Sequence, residues 1–232
     1  MARRRWKQLE LAARTWGGRR KGAGRKRRAR SRVPHRRRPT IIRRTVVHIV
    51  VKLVDDVGVL RRMKLAPLLR RTLVAGAMRG GFRVCHFSIQ RAHIHLVVEV
   101  DSTLAMSRGM QAWSGRLARR LNAHLRRRGR VVADRYHVEL LRSPRRVRNT
   151  LCYVLHNGRR HGEPLDARWQ GIDPFSSAWH FDGWSDDAWR AHLTPPRGDP
   201  PVATPTTWLL RIGWRRWGLI AVDEVPAAAR RV

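Results

Sequence analysis

Residues Ile41 to Val54 are rich in β-branched side chains and alternate around His48, the period-two pattern of a strand. Gly58 breaks the run. From Leu65 to Met78 the apolar positions Leu68, Leu69, Leu73 and Met78 recur at helical spacing, with Pro67 accepted in the first turn and Gly80-Gly81 as the stop. Phe82 to Gln90 and His93 to Val100 read as two further strands joined by the short link Arg91-Ala92. A long amphipathic helix is predicted over Leu104–Arg127, because Met106, Met110, Trp113, Leu117, Leu121 and Leu125 fall at steps of three and four. Its other face carries Arg116, Arg119, Arg120, Arg126 and Arg127. Gly129 ends it, and Val131 to Leu141 reads as a fourth strand.

Ser143-Pro144 supplies a capping hydroxyl followed by proline at the first helical position. The helix that starts there is predicted to reach Asn157, with Gly158 as its C-terminal stop. The order strand-helix-strand-strand-helix-strand-helix predicts an α+β, ferredoxin-like βαββαβα core. In that arrangement a four-stranded antiparallel sheet has helices on one face, and His93–Val100 lies in mid-sheet.

Composition separates the flanks from this core. The first 38 of the 232 residues hold 17 Lys and Arg against one acid, Glu10, and cannot bury enough apolar area to fold alone. Residues 1–39 are therefore expected to be a disordered basic arm that contacts phosphates through Arg25, Lys26, Arg27, Arg28, Arg36, Arg37 and Arg38. Residues 40–160 form the expected catalytic domain. Residues 161–232, with seven of the ten tryptophans and nine of the 16 acidic residues from Glu163 onward, form a loop-rich C-terminal extension.

The formal net charge of +35 points to a polyanionic partner. Cys85 and Cys152 lie in apolar runs and form no C-x-x-C pair, which argues against a zinc ribbon or a disulfide framework. No apolar stretch approaches the roughly 18–20 residues that span a bilayer, and the basic N-terminus lacks the apolar segment of a secretory signal. A cytoplasmic, nucleoid-associated protein is expected.

Two constellations carry candidate chemistry. On a strand, His93 and His95 project from the same face, and two imidazoles at that spacing can grip one divalent ion. On the last helix, Tyr153 and Asn157 are four residues apart and share a face, about 5–6 Å apart at Cβ. Arg146 and Thr150 extend that face, Arg146 as a further DNA contact, while Val147, Leu151, Val154 and Leu155 form the buried one. Histidine with an amide oxygen as third donor suits Mg²⁺ or Mn²⁺ better than a thiolate-preferring metal. Tyr136, the only other tyrosine, lies in a predicted strand with no such partner, so Tyr153 is the favoured nucleophile.

The element order, the His93-Ile94-His95 strand preceded by Phe87-Ser88-Ile89-Gln90, the segment Asp134-Arg135-Tyr136-His137 and the helix Arg148 to Asn157 together resemble the single-tyrosine HUH transposases, and most of all the REP-associated tyrosine transposases. The likeness covers roughly residues 40–160. It implies His93, His95 and Asn157 as metal ligands and Tyr153 as the catalytic nucleophile. It also implies cleavage and rejoining of single-stranded hairpin DNA through a covalent 5′-phosphotyrosine. Gly158 replaces the proline that follows the asparagine in many members. Monomer and homodimer both stay open. The other reading is a domesticated hairpin-binding, or structured-RNA-binding, protein without strand transfer. A HIT-type hydrolase is excluded because the third alternating position is Val97, and two-histidine phosphoesterases, which need two copies of His-x-Ser/Thr, are set aside because His95 is followed by Leu96-Val97 and not by such a triplet.

Overall fold

The computed structural model describes residues 38–74, 78–160, 171–186, 188–194 and 198–226. Arg25, Lys26, Arg27, Arg28, Arg36 and Arg37 lie outside the described residues. Among the described residues no helix is long and apolar enough to cross a membrane.

The core is an antiparallel sheet of order β2-β3-β4-β1-β5, built from β1 (Thr45–Lys52), β2 (Met78–Arg79), β3 (Phe82–Ile89), β4 (His93–Val100) and β5 (His137–Leu141). Apart from the two-residue β2, this is the predicted four-stranded α+β sheet, with β4 and β1 in its middle. The period-two alternation of β1 and β4 divides their side chains cleanly. Val47, Ile49, Val51, Ile94, Leu96, Val98 and Val100 face a core formed with α1 (Ala66–Val74) and α2 (Thr103–His124). Val46 and Val97 face a second core formed with α3 (Pro144–Leu155) and the C-terminal segment. Two helices thus cover one face, as predicted, and the third packs on the opposite face.

Local chemistry sets the boundaries. Ser102 caps α2 by accepting a hydrogen bond from the Ala105 amide at 3.1 Å. Gly109 lets α2 approach β3 closely, since a Cβ there would lie 2.3 Å from the Phe82 ring. Met78 is not helical as predicted: Gly80 and Gly81, at φ 39° and 78°, make the tight turn that pairs Met78–Arg79 with Phe82–Arg83. The fourth strand is shorter than predicted. Val132 bridges Leu53, and regular pairing resumes only at His137, after Tyr136 has been drawn under the Arg38 guanidinium, 3.7 Å from the ring centre.

The C-terminal segment docks through buried polar contacts. Glu99, fully buried on β4, accepts hydrogen bonds from the backbone amides and hydroxyls of Thr206 and Thr207 at 2.6–3.0 Å. Thr207 in turn caps α5 (Trp208–Arg211). Arg148 of α3 holds Glu224 at 2.7 and 2.9 Å and bonds the carbonyls of Gly218 and Leu219. Trp214, Phe181, Trp184 and Trp189 fill the second core.

Candidate active site

The face of the sheet that meets α3 carries a cluster of three imidazoles. His93 and His95 alternate along β4, and His48 stands on the neighbouring strand β1. The ring centres of His93 and His95 are 4.9 Å apart and nearly perpendicular. His48 Nε2 lies 3.0 Å from His95 Nδ1, with the two rings within 12° of coplanar. A contact of this kind needs one ring nitrogen to donate and the other to accept; with His95 Nδ1–H donating to His48, His95 Nε2 keeps the lone pair that a metal requires. Both rings are buried.

Behind His48 the chain of polar groups continues. Glu139, its cross-strand partner on β5, places Oε2 3.9 Å from His48 Nδ1 and Oε1 3.1 Å from Arg146 Nε. His48, facing the carboxylate, together with the charge of Arg146, holds the Glu139 carboxyl below the ordinary glutamate range.

Tyr153 reaches the same place from α3. Its ring meets His95 edge-on at 5.4 Å and His48 at 6.3 Å. The buried stripe Val147, Leu151, Val154 and Leu155 seats the helix on the sheet, and the half-buried Tyr153 sits at the margin of that contact. Ser143 caps the helix as predicted, accepting from the Arg146 amide at 3.4 Å. Tyr136 is on the other face of the sheet, at the edge of the first core.

The exit of α3 differs from expectation. The helix ends at Leu155 with His156 as its cap, and Asn157 opens the short α4 (Asn157–Arg160). Gly158 is not a stop. A Cβ there would lie 2.6 Å from Asp173 Oδ2 and 3.1 Å from Arg61, so its smallness seats α4 against a buried ion pair. Arg61 and Asp173 form that pair through two hydrogen bonds of 2.9 and 3.0 Å. Asn157 is fully buried, and among the described residues neither of its amide atoms has a hydrogen-bond partner.

The His93–His95 pair has the spacing for a divalent ion, although among the described residues no three His, Cys, Asp or Glu side chains form a ready metal cluster. Two imidazoles holding one ion at right angles have ring centres about 4.5–5 Å apart, given metal–nitrogen distances of about 2.1 Å. The His93–His95 spacing matches that. The Asn157 carboxamide is a buried polar group without a bond of its own, which is costly unless something uses it.

Of the remaining predicted contacts, Arg146 is exposed and paired with Glu139. Arg38 is partly buried, stacked on Tyr136 and bonded to its carbonyl. His86 and His156 lie away from the imidazole cluster, packed against Phe181 and Trp184 respectively. Sequence reasoning missed His48 and Glu139. The available signal was a lone polar residue at a position that alternation turns to the same face as His93 and His95.

A mid-sheet set of imidazoles is thus confronted by a helix-borne tyrosine on an α+β sheet. Residues 42–154 match the family described as "Transposase IS200 like". The fold is similar to the structure of a REP-associated tyrosine transposase bound to a REP hairpin, with a TM-score of 0.52 at 14% identity, covering 75% of this chain and 100% of that one. A Deinococcus radiodurans R1 protein provisionally described as a transposase aligns with a TM-score of 0.39 at 15% identity, over 56% of this chain and 99% of that one. Comparison with curated protein sequences finds no match.

Proposed function

We propose that the protein cleaves and rejoins single-stranded, hairpin-bearing DNA by covalent catalysis at Tyr153. The observation that carries this reading is the edge-on approach of the Tyr153 ring to His95, on the sheet face that also presents His93 and His48. His93, His95 and Asn157 would hold Mg²⁺ or Mn²⁺, which supplies charge stabilisation to a scissile phosphate. The Tyr153 oxygen attacks phosphorus, the phosphorus–O3′ bond breaks, and the phenolic proton passes, in net terms, to the departing 3′ oxygen. The 5′-phosphotyrosine keeps the energy of the phosphodiester, so a 3′-hydroxyl can reverse the step without ATP.

His48 acts as a positioning residue. By engaging His95 Nδ1 it orients the ring, and Glu139 and Arg146 hold His48 in turn. Arg146 and the basic arm, from Arg25 to Arg38, contribute phosphate contacts. The protein acts in the cytoplasm, on the nucleoid, and a single copy carries every residue of the proposed site.

The test is incubation with labelled hairpin DNA and Mn²⁺, followed by a denaturing gel. A covalent protein–DNA band is expected. Tyr153→Phe should abolish it and Tyr136→Phe should keep it, whereas the reverse pattern overturns the assignment. His93→Ala should abolish cleavage and leave most of the binding.

A further inference from the structure

The C-terminal segment presents two tryptophans that the second core does not absorb. Trp208 and Trp217 are 49% and 52% exposed, beside the exposed Ile212 and Leu219. Burial of a ring this large is normally favourable, and the neighbouring Trp214 is buried completely. Each outward indole carries a cation over its ring. The Arg216 guanidinium lies 5.0 Å from the centre of Trp208, and that of Arg145 lies 5.1 Å from Trp217.

Neither ring is loosely mounted. Trp208 begins α5, whose cap Thr207 is tied to buried Glu99. Its indole lies against the backbone of Gly213, where a Cβ would come within 2.6 Å of the ring. Just beyond Trp217, Arg148 bonds the carbonyls of Gly218 and Leu219. Arg145 and Arg148 belong to α3, the helix that carries Tyr153. The aromatic surface is therefore fixed to the same rigid element as the proposed nucleophile. Arg145 immediately precedes Arg146, which leads through Glu139 to His48.

We propose that Trp208 and Trp217, flanked by Arg216 and Arg145, form a stacking platform for unpaired bases of the single-stranded DNA that adjoins the hairpin. This rests on the function proposed above. Exposed, rigidly held indoles beside guanidinium groups match a polymer with π-faces and phosphates. A paired stem offers its phosphates but not its base faces, so the platform distinguishes flank from stem. Two of the nearby acids are engaged, Asp182 by Arg215 at 2.8 Å and Glu224 by Arg148.

The experiment uses the full chain carrying Tyr153→Phe, so that binding is read without cleavage. Fluorescence anisotropy compares one labelled hairpin with and without a short single-stranded flank. Trp208→Ala and Trp217→Ala should each weaken binding of the flanked hairpin about tenfold and leave the blunt hairpin unchanged. Trp→Phe at either position should restore most of the affinity, because a stacking face returns. The tryptophan variants should keep the salt slope, whereas Arg145→Gln should flatten it by about 0.7 through one lost phosphate contact. Equal losses on blunt and flanked hairpins, or no loss on either, would overturn the platform. Tryptophan-dependent binding that prefers an RNA flank, or anionic phospholipid vesicles, would overturn DNA as its occupant. If the parent protein binds no hairpin at all, the proposed function fails before the platform is tested.

Discussion

The buried pair beneath α4 lends itself to a quantitative test. The Arg61 and Asp173 side chains are 6% and 2% exposed, and the guanidinium also donates to the Ile89 carbonyl at 3.0 Å. Asp173 further accepts from the Phe175 amide at 2.9 Å. Asp173→Ala leaves a guanidinium in the interior without its carboxylate, a change that costs about 3–5 kcal/mol. Asp173→Asn keeps acceptor capacity but loses the charge, and should cost about half of that. For a chain of this size each kcal/mol lowers the melting midpoint by about 2–4 °C, so Asp173→Ala should melt roughly 6–20 °C below the parent. The double change Arg61→Met with Asp173→Leu should recover much of the loss, because a well-packed apolar pair is often as stable as the ionic one. Thermal unfolding followed by circular dichroism measures all four proteins. Since Gly158 rests on Asp173, the Asp173→Ala protein should also bind Mn²⁺ more weakly while still folded. A midpoint shift for Asp173→Ala below about 2 °C, or a double variant no more stable than Asp173→Ala, would refute this account of the pair.

Two further outcomes are expected. His48→Ala should weaken Mn²⁺ binding by about tenfold or more in calorimetry of the DNA-free protein, and His48→Gln should restore part of it by keeping a hydrogen-bonding group toward His95; unchanged affinity would deny His48 its positioning role. Burial pushes His86 down to about 4 from 6.5. The unfolded chain takes up this proton first, so stability should fall as pH drops from 6.5 toward 4, by up to about 3 kcal/mol. His180, also pushed to about 4, adds to the trend. Urea unfolding across this window should show the slope, and His86→Gln should flatten it.

The helices and central strands were legible because burial writes its period into the sequence. Alternation in His93–Val100 put both histidines on one face before any coordinates, and the stripe on α3 turned Tyr153 away from the helix's own apolar seam. His48 was not legible as part of the site, since a single histidine in a strand is equally compatible with solvent, core or ligand. Only the register between β1 and β4 brings it to His95. Gly158 was misread for a related reason. Glycine after a helix usually signals a positive φ, and here its value is steric, set by an ion pair whose partner is residue 173. The shortened fourth strand depends on Arg38 stacking on Tyr136, a long-range contact that no local pattern encodes.

The position of Glu99 has a consequence for how this protein can vary. A carboxylate in the middle strand of a sheet is tolerated only while Thr206 and Thr207 are there to receive it. Any shortened version that stops after α4 would expose an unsatisfied negative charge on the very strand that carries the two histidines. The C-terminal third is thus wedded to the sheet. Loss of one should be accompanied by replacement of residue 99 with an apolar side chain, and a fragment trimmed to the family domain alone is best made with that exchange already in place.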